Sequence, residues 1–175
     1  KKFNIPMYDH NLLDHIAEEK NLDLATLKKF DEKPRNVLLS RTVKGHSSSP
    51  SDNIAMMQFD YLKKKAEKGE SFVIVGRCAE MVLKEFEGMI SIFILGDKEC
   101  KTKRVMEVYD ISKEEARKKM ERHDVYRKQY HNSYCDSKWG DSRSYDLCVN
   151  SSRLGIDGTV AMLADYIRAR MGENK

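Results

Sequence analysis

The chain has 175 residues, enough for one domain with a substantial core, and is 40% hydrophobic and 34% charged with a net charge of +4. No apolar run approaches the roughly 20 residues of a membrane span, no signal-peptide pattern stands at the N-terminus, and so mild a charge does not argue for nucleic acid by itself. Cys78, Cys100, Cys135 and Cys148 form no C-x-x-C pair, which fits a reduced, cytoplasmic chain.

Asp9 as an N-cap, followed by Leu12, Leu13 and Ile16, predicts a helix over about 10–20, and a second helix is expected from Leu24 to Phe30. Val37 to Val43 fits helix or strand. Residues 45–51 have loop composition. Ile54, Met57, Tyr61 and Leu62 mark a long amphipathic helix over 52–68. Phe72-Val73-Ile74-Val75 then reads as a strand buried on both faces, ending at Gly76-Arg77. A helix over 79–86 follows, then a second buried strand over 90–95 and a helix over 99–109. Ser112 and Glu115 form a capping box opening a basic helix that runs to about Tyr130, with a loop over 130–141. Residues 145–149 read as a third buried strand. Ile156, Val160, Leu163, Ile167 and Met171 give a C-terminal helix. Strands alternating with helices imply one α/β domain over 1–175 with a parallel sheet and right-handed crossovers.

Two places carry chemistry. Arg77 stands at the carboxyl end of a strand, where open α/β sheets bind ligands, and its forked cation suits phosphate or carboxylate. The helix from Lys113 to Lys128 is dense in cations. Most of these read as a solvated face, with Glu114–Lys118 as an i,i+4 pair. Arg122 and Arg127 can instead close over a transferring phosphoryl group, with Asp124 orienting one of them. Trp139 reads as a packing anchor. His10 and His15 are five apart, off one helical face, and no cysteine is placed at ligand spacing from His123 or His131, so no metal-centred site is expected.

Taken in order, Ile5-Pro6-Met7-Tyr8-Asp9, Val75-Gly76-Arg77-Cys78-Ala79, Arg104-Val105, Ser112-x-x-Glu115-Ala116, Asp124-x-x-Arg127, Lys138-Trp139-Gly140-Asp141 and Tyr145-Asp146-Leu147 resemble the cytidylate kinase-like family. That family is a nucleoside monophosphate kinase branch of the P-loop NTPases. The resemblance implies a three-layer parallel-sheet P-loop kinase core, adenylate kinase-like, with a helical lid over about 111–140. It implies transfer of the ATP γ-phosphoryl group to CMP, dCMP or a similar acceptor, with Mg²⁺ bridging the ATP phosphates. Carried over by position, Arg77 holds the acceptor phosphate, Asp9 and Arg104 face the substrates, and Arg122, Asp124 and Arg127 belong to the closing lid.

One part of the pattern is missing. None of the nine glycines is followed by lysine, so no G-x-x-x-x-G-K-[ST] loop is present. A strand–loop–helix unit of about 25–30 residues, the span of that part of a βαβ unit, is expected ahead of Lys1. Without its central strand, two strand edges are expected to stand unpaired with apolar surface beside them. The rival readings are a kinase-fold binding protein without phosphotransfer and, less favoured by the interleaved acidic residues, a nucleic-acid-binding module. A homo-oligomer is compatible with the sequence.

Overall fold

The computed structural model of the chain describes residues 3–31, 42–43, 46–47 and 49–172. Strand β1 (Met7–Tyr8) leads into helix α1 (Leu12–Lys20), which buries Leu12, Leu13 and Ile16. The N-cap is Asn11 and not Asp9, and the Asn11 side chain turns back to accept from the Asp9 N–H at 2.7 Å. Helix α2 (Leu24–Lys28) is capped by Asp23, whose carboxylate accepts from the Thr26 N–H at 3.0 Å. Strands β2 (Thr42–Val43) and β3 (His46–Ser47) pair antiparallel, so the segment expected as a loop carries a short strand. The rest of the ambiguous Val37–Val43 stretch lies outside the described residues.

Helix α3 (Pro50–Glu67) starts with proline in its first turn, where no intrahelical donor is lost. Its Ile54, Phe59 and Leu62 meet Leu12, Leu13 and Ile16 in the core. Strand β4 (Val73–Ile74) pairs parallel with β1, and the ladder continues through Val73 N–H to Pro6 O and Val75 N–H to Tyr8 O. Helix α4 (Ala79–Val82) is shorter than the pattern suggests. Strand β5 (Ile92–Leu95) is followed by α5 (Lys98–Tyr109), α6 (Lys113–Tyr134), β6 (Leu147–Asn150) and α7 (Ser151–Arg170). β5 and β6 are parallel and in register from Ile92↔Leu147 to Leu95↔Asn150.

Two expectations are corrected. The fold is mixed α/β, but among the described residues its strands form separate two-stranded pieces and not one continuous sheet. Among the described residues β4 and β5 each have a single partner strand, as expected of two edges left unpaired, and Val73, Ile94 and Leu95 are exposed although their runs read as buried on both faces. Helix α6 also runs past Tyr130. Tyr130 and Tyr134 lie one turn apart with rings 5.0 Å from each other, Tyr134 meets Phe59, and its hydroxyl donates to Asp52 at 2.9 Å. Those aromatic contacts extend the helix into sequence of loop-like composition.

The chain divides into two compact units, Phe3–Met89 with Tyr126–Trp139, and Ile90–Val125 with Gly140 onward. Helix α6 passes from the second into the first at Val125–Tyr126. In the second unit, Ser91 and Asp146 tie the entrances of β5 and β6 together: the Asp146 carboxylate accepts from the Ser91 N–H at 2.7 Å and its hydroxyl at 3.0 Å. Among the described residues no helix is long and apolar enough to cross a membrane.

Candidate functional site

The chain leaves β4 through three consecutive residues of positive φ: Gly76 at 74°, Arg77 at 60° and Cys78 at 55°. Glycine takes this conformation freely, whereas each L-residue there costs about 1–2 kcal/mol. Two strained residues in a row, at the carboxyl end of a strand, is the kind of local cost that persists at functional sites. The turn carries the Arg77 side chain inward, where it is only 2% exposed. Its guanidinium grips Asp31 with both ends, Nη1 donating to Oδ1 at 2.6 Å and Nη2 to Oδ2 at 3.1 Å. Nη2 also points at the Asp9 carbonyl oxygen at 3.5 Å.

The surroundings of this fork are polar and incompletely satisfied. Gln58, fully buried on α3, donates to Asp31 Oδ1 at 2.9 Å, and its own Oε1 has no partner among the described residues. The Tyr130 hydroxyl is likewise buried and unpartnered among the described residues. Burial pushes that phenol well above its usual range, with Cys78 acting the same way and the charge of Arg77 opposing. Buried polar atoms without partners are rare, and two beside one buried ion pair mark a place where a polar ligand would restore lost hydrogen bonds.

The remaining sequence-derived candidates separate by place. Asp9 and Arg77 come together in the first unit, but Asp9 meets Arg77 through its main-chain carbonyl, and its carboxylate lies 3.4 Å from the exposed ring of His10. Arg127 is exposed on the part of α6 in the first unit. Arg104, on α5, and Arg122, on α6, are exposed in the second unit. Asp124 does not orient an arginine: its carboxylate receives Lys101 Nζ at 3.1 Å. Its neighbours follow the expectation of a solvated, paired helix. Lys118 meets Glu114 at 2.6 Å, while Lys113 and Arg117 share Glu99, which this pairing, Arg117 first, holds below the usual carboxylate range. The capping box forms as expected, with Ser112 N–H donating to Glu115 Oε2 and Glu115 N–H to Ser112 Oγ.

A second cluster lies beside the Arg77 turn. Glu80 on α4 sits 2.6 Å from Nε2 of His131, and the Cys135 thiol is 3.9 Å from the same carboxylate oxygen. Burial works against an imidazolium at His131, but hydrogen bonding to Cys135 and Glu80 outweighs it and pushes the ring up to about 10. The Cys135 thiol is held down to about 6, first by a hydrogen bond with Cys78 and then, against burial, by His131. The sequence reading placed no cysteine at ligand spacing from His131. Cys135 is in fact four residues on, one helical turn, and its N–H donates to the His131 carbonyl at 2.9 Å. The spacing was readable; the position of the helix end concealed it. Asp31, Gln58 and Glu80 carried no sequence signal of their own.

A crystal structure of an uncharacterised protein from Eubacterium ventriosum is 41% identical to this chain, with a TM-score of 0.72 over 95% of this chain and 84% of the other. No protein of curated function matches. The model of the cytidylate kinase-like family, whose description points to kinase-like function, matches residues 1–153, which include the Arg77 turn and all of α6. The chain therefore belongs to the cytidylate kinase-like family.

Proposed function

We propose that this chain carries the acceptor half of a nucleoside monophosphate kinase, binding CMP, dCMP or a similar nucleotide by its phosphate at Arg77. The observation that carries the reading is the buried guanidinium, held by a strained turn at the carboxyl end of β4. Two buried polar atoms without a partner among the described residues, Gln58 Oε1 and the Tyr130 hydroxyl, adjoin it. An incoming phosphate competes with the Asp31 carboxylate for the arginine fork, since both offer paired anionic oxygens to the same donors. Asp31 holds Arg77 in position until the ligand arrives. Arg122 and Arg127 are exposed, with no ion pair among the described residues, and so are available to neutralise developing charge on the phosphoryl group. No nucleophilic residue is required, because the chemistry is positioning and charge neutralisation.

ATP and Mg²⁺ would supply the phosphoryl group and its charge shielding. The residues of this chain do not fit the donor phosphates, since none of its nine glycines begins a Gly-Lys pair, and no step is assigned to that half of the reaction. The P-loop core is proposed to be completed by a strand–loop–helix unit outside these 175 residues. The exposed apolar side chains of Val73 on β4, and of Ile94 and Leu95 on β5, support that reading.

The lack of a Gly-Lys pair favours one second reading: a protein that binds the nucleotide and transfers nothing. Calorimetric titration of the chain with CMP, followed by assay of CDP formation from ATP and Mg²⁺ with the chain extended by its upstream strand–loop–helix unit, separates the two. Binding with CDP formation supports the kinase. Binding alone supports the second reading, and absence of CMP binding refutes both.

A further inference from the structure

Beside the Arg77 turn the first unit assembles three side chains whose donor atoms are those of a metal centre. Glu80 Oε, His131 Nε2 and Cys135 Sγ all lie within 4.8 Å of one another. We propose that Glu80, His131 and Cys135 bind a zinc-class divalent cation, with the fourth position open to water.

The geometry is near what such an ion needs. Ligand atoms around tetrahedral zinc stand about 3.3–3.8 Å apart. The Cys135–Glu80 separation of 3.9 Å lies just above this range, and the His131–Glu80 contact of 2.6 Å must widen by about 1 Å, a side-chain adjustment. The other ring nitrogen is held as a ligand histidine requires, with His131 Nδ1 3.4 Å from Asn132 Oδ1. Asn132 is itself fixed by the Trp139 N–H at 2.9 Å. The side chains of His131 and Glu80 are 6% and 13% exposed, so these two donors are largely withdrawn from bulk solvent.

Donor chemistry selects the class of metal. A sulfur, an imidazole and a carboxylate suit borderline-soft ions and not Mg²⁺ or Ca²⁺, which take oxygen ligands. Binding releases the Cys135 thiol proton to solvent. The site would tie Glu80, three residues after Arg77, to the C-terminal end of α6. Metal occupancy would thereby set the rigidity of the anion-binding turn.

The test uses the reduced, metal-stripped chain titrated with Co²⁺ and then Zn²⁺, with no nucleotide present, so its outcome is independent of any kinase activity. One equivalent of Co²⁺ is expected to give thiolate-to-metal charge-transfer absorption and the visible bands of a tetrahedral site, bleached by Zn²⁺. Cys135→Ser should weaken binding by more than about 100-fold, since a lost ligand exceeds the loss of an outer-shell partner. Glu80→Gln should weaken it while keeping the sulfur bands, and Cys100→Ser on α5 should leave the spectrum unchanged. Circular dichroism checks folding, with His131→Asn as the alternative variant if Cys135→Ser fails to fold. Absence of the bands, their persistence in folded Cys135→Ser or His131→Asn, or a Cys78–Cys135 disulfide formed in preference to metal uptake would each overturn the proposal.

Discussion

Removing Arg77 should expose how much of the turn is held by its ion pair. Arg77→Met keeps the volume of the side chain's stem and deletes both hydrogen bonds to Asp31. The Asp31 carboxylate, 18% exposed, then keeps the single hydrogen bond from Gln58. Leaving such a charge uncompensated costs about 3–5 kcal/mol, and the remaining Gln58 bond and partial exposure place the loss near the lower end. Asp31→Leu should cost a comparable amount, because the buried guanidinium loses both carboxylate oxygens. The double variant, with neither charge left, should cost about 3–4 kcal/mol instead of the additive sum of about 6, a coupling of about 2–3 kcal/mol in the cycle. Urea unfolding followed by circular dichroism measures all four proteins. Additive losses in the double variant would refute the argument, because they would mean that the two side chains do not depend on each other.

Other consequences follow from local geometry. The Ser91 N–H bond, against burial and with help from the Ser91 hydroxyl and Arg170, holds Asp146 below the usual carboxylate range. Its contribution is therefore fully present above the unfolded value near 4 and is lost as pH falls through the lower folded value. Asp146→Asn should abolish that component of acid destabilisation and cost about 1–2 kcal/mol at neutral pH, read from urea midpoints at pH 7 and below 4. Ser112→Ala breaks the capping box of α6 and should cost about 1 kcal/mol in the same assay. Gly155 bends α7 with φ 66° and ψ −180°, a region other residues avoid, and a Cβ there would meet nothing within 4 Å. Gly155→Ala should therefore cost about 1–3 kcal/mol from backbone strain alone, and an unchanged thermal midpoint would contradict the kink.

What could be read from the sequence depended on how local its cause was. The Ser112–Glu115 box, the Glu114–Lys118 pair and helix α3 are written in neighbouring residues and formed as expected. The position of Arg77 at a strand end was legible, whereas its partner Asp31 lies 46 residues away and had no signature. Asp124 offered a plausible local role beside two arginines, but a lysine on the neighbouring helix α5 claimed it. The apolar runs at Val73 and Ile94–Leu95 announced strands correctly. Their burial depends on strands that must lie alongside, which the runs themselves do not encode. The His131–Cys135 spacing was present in the sequence, and the helix that makes it meaningful ends four residues later than the pattern suggests.

Calorimetric titration of the chain with CMP against cytidine tests most directly whether Arg77 is the seat of an acceptor phosphate. The prediction is that CMP binds at least about tenfold more tightly than cytidine, about 1.4 kcal/mol. Arg77→Lys, which keeps the charge and loses the fork, should erase most of that difference while the protein remains folded. Equal affinity for CMP and cytidine, or a phosphate preference unchanged in folded Arg77→Lys, would contradict the account.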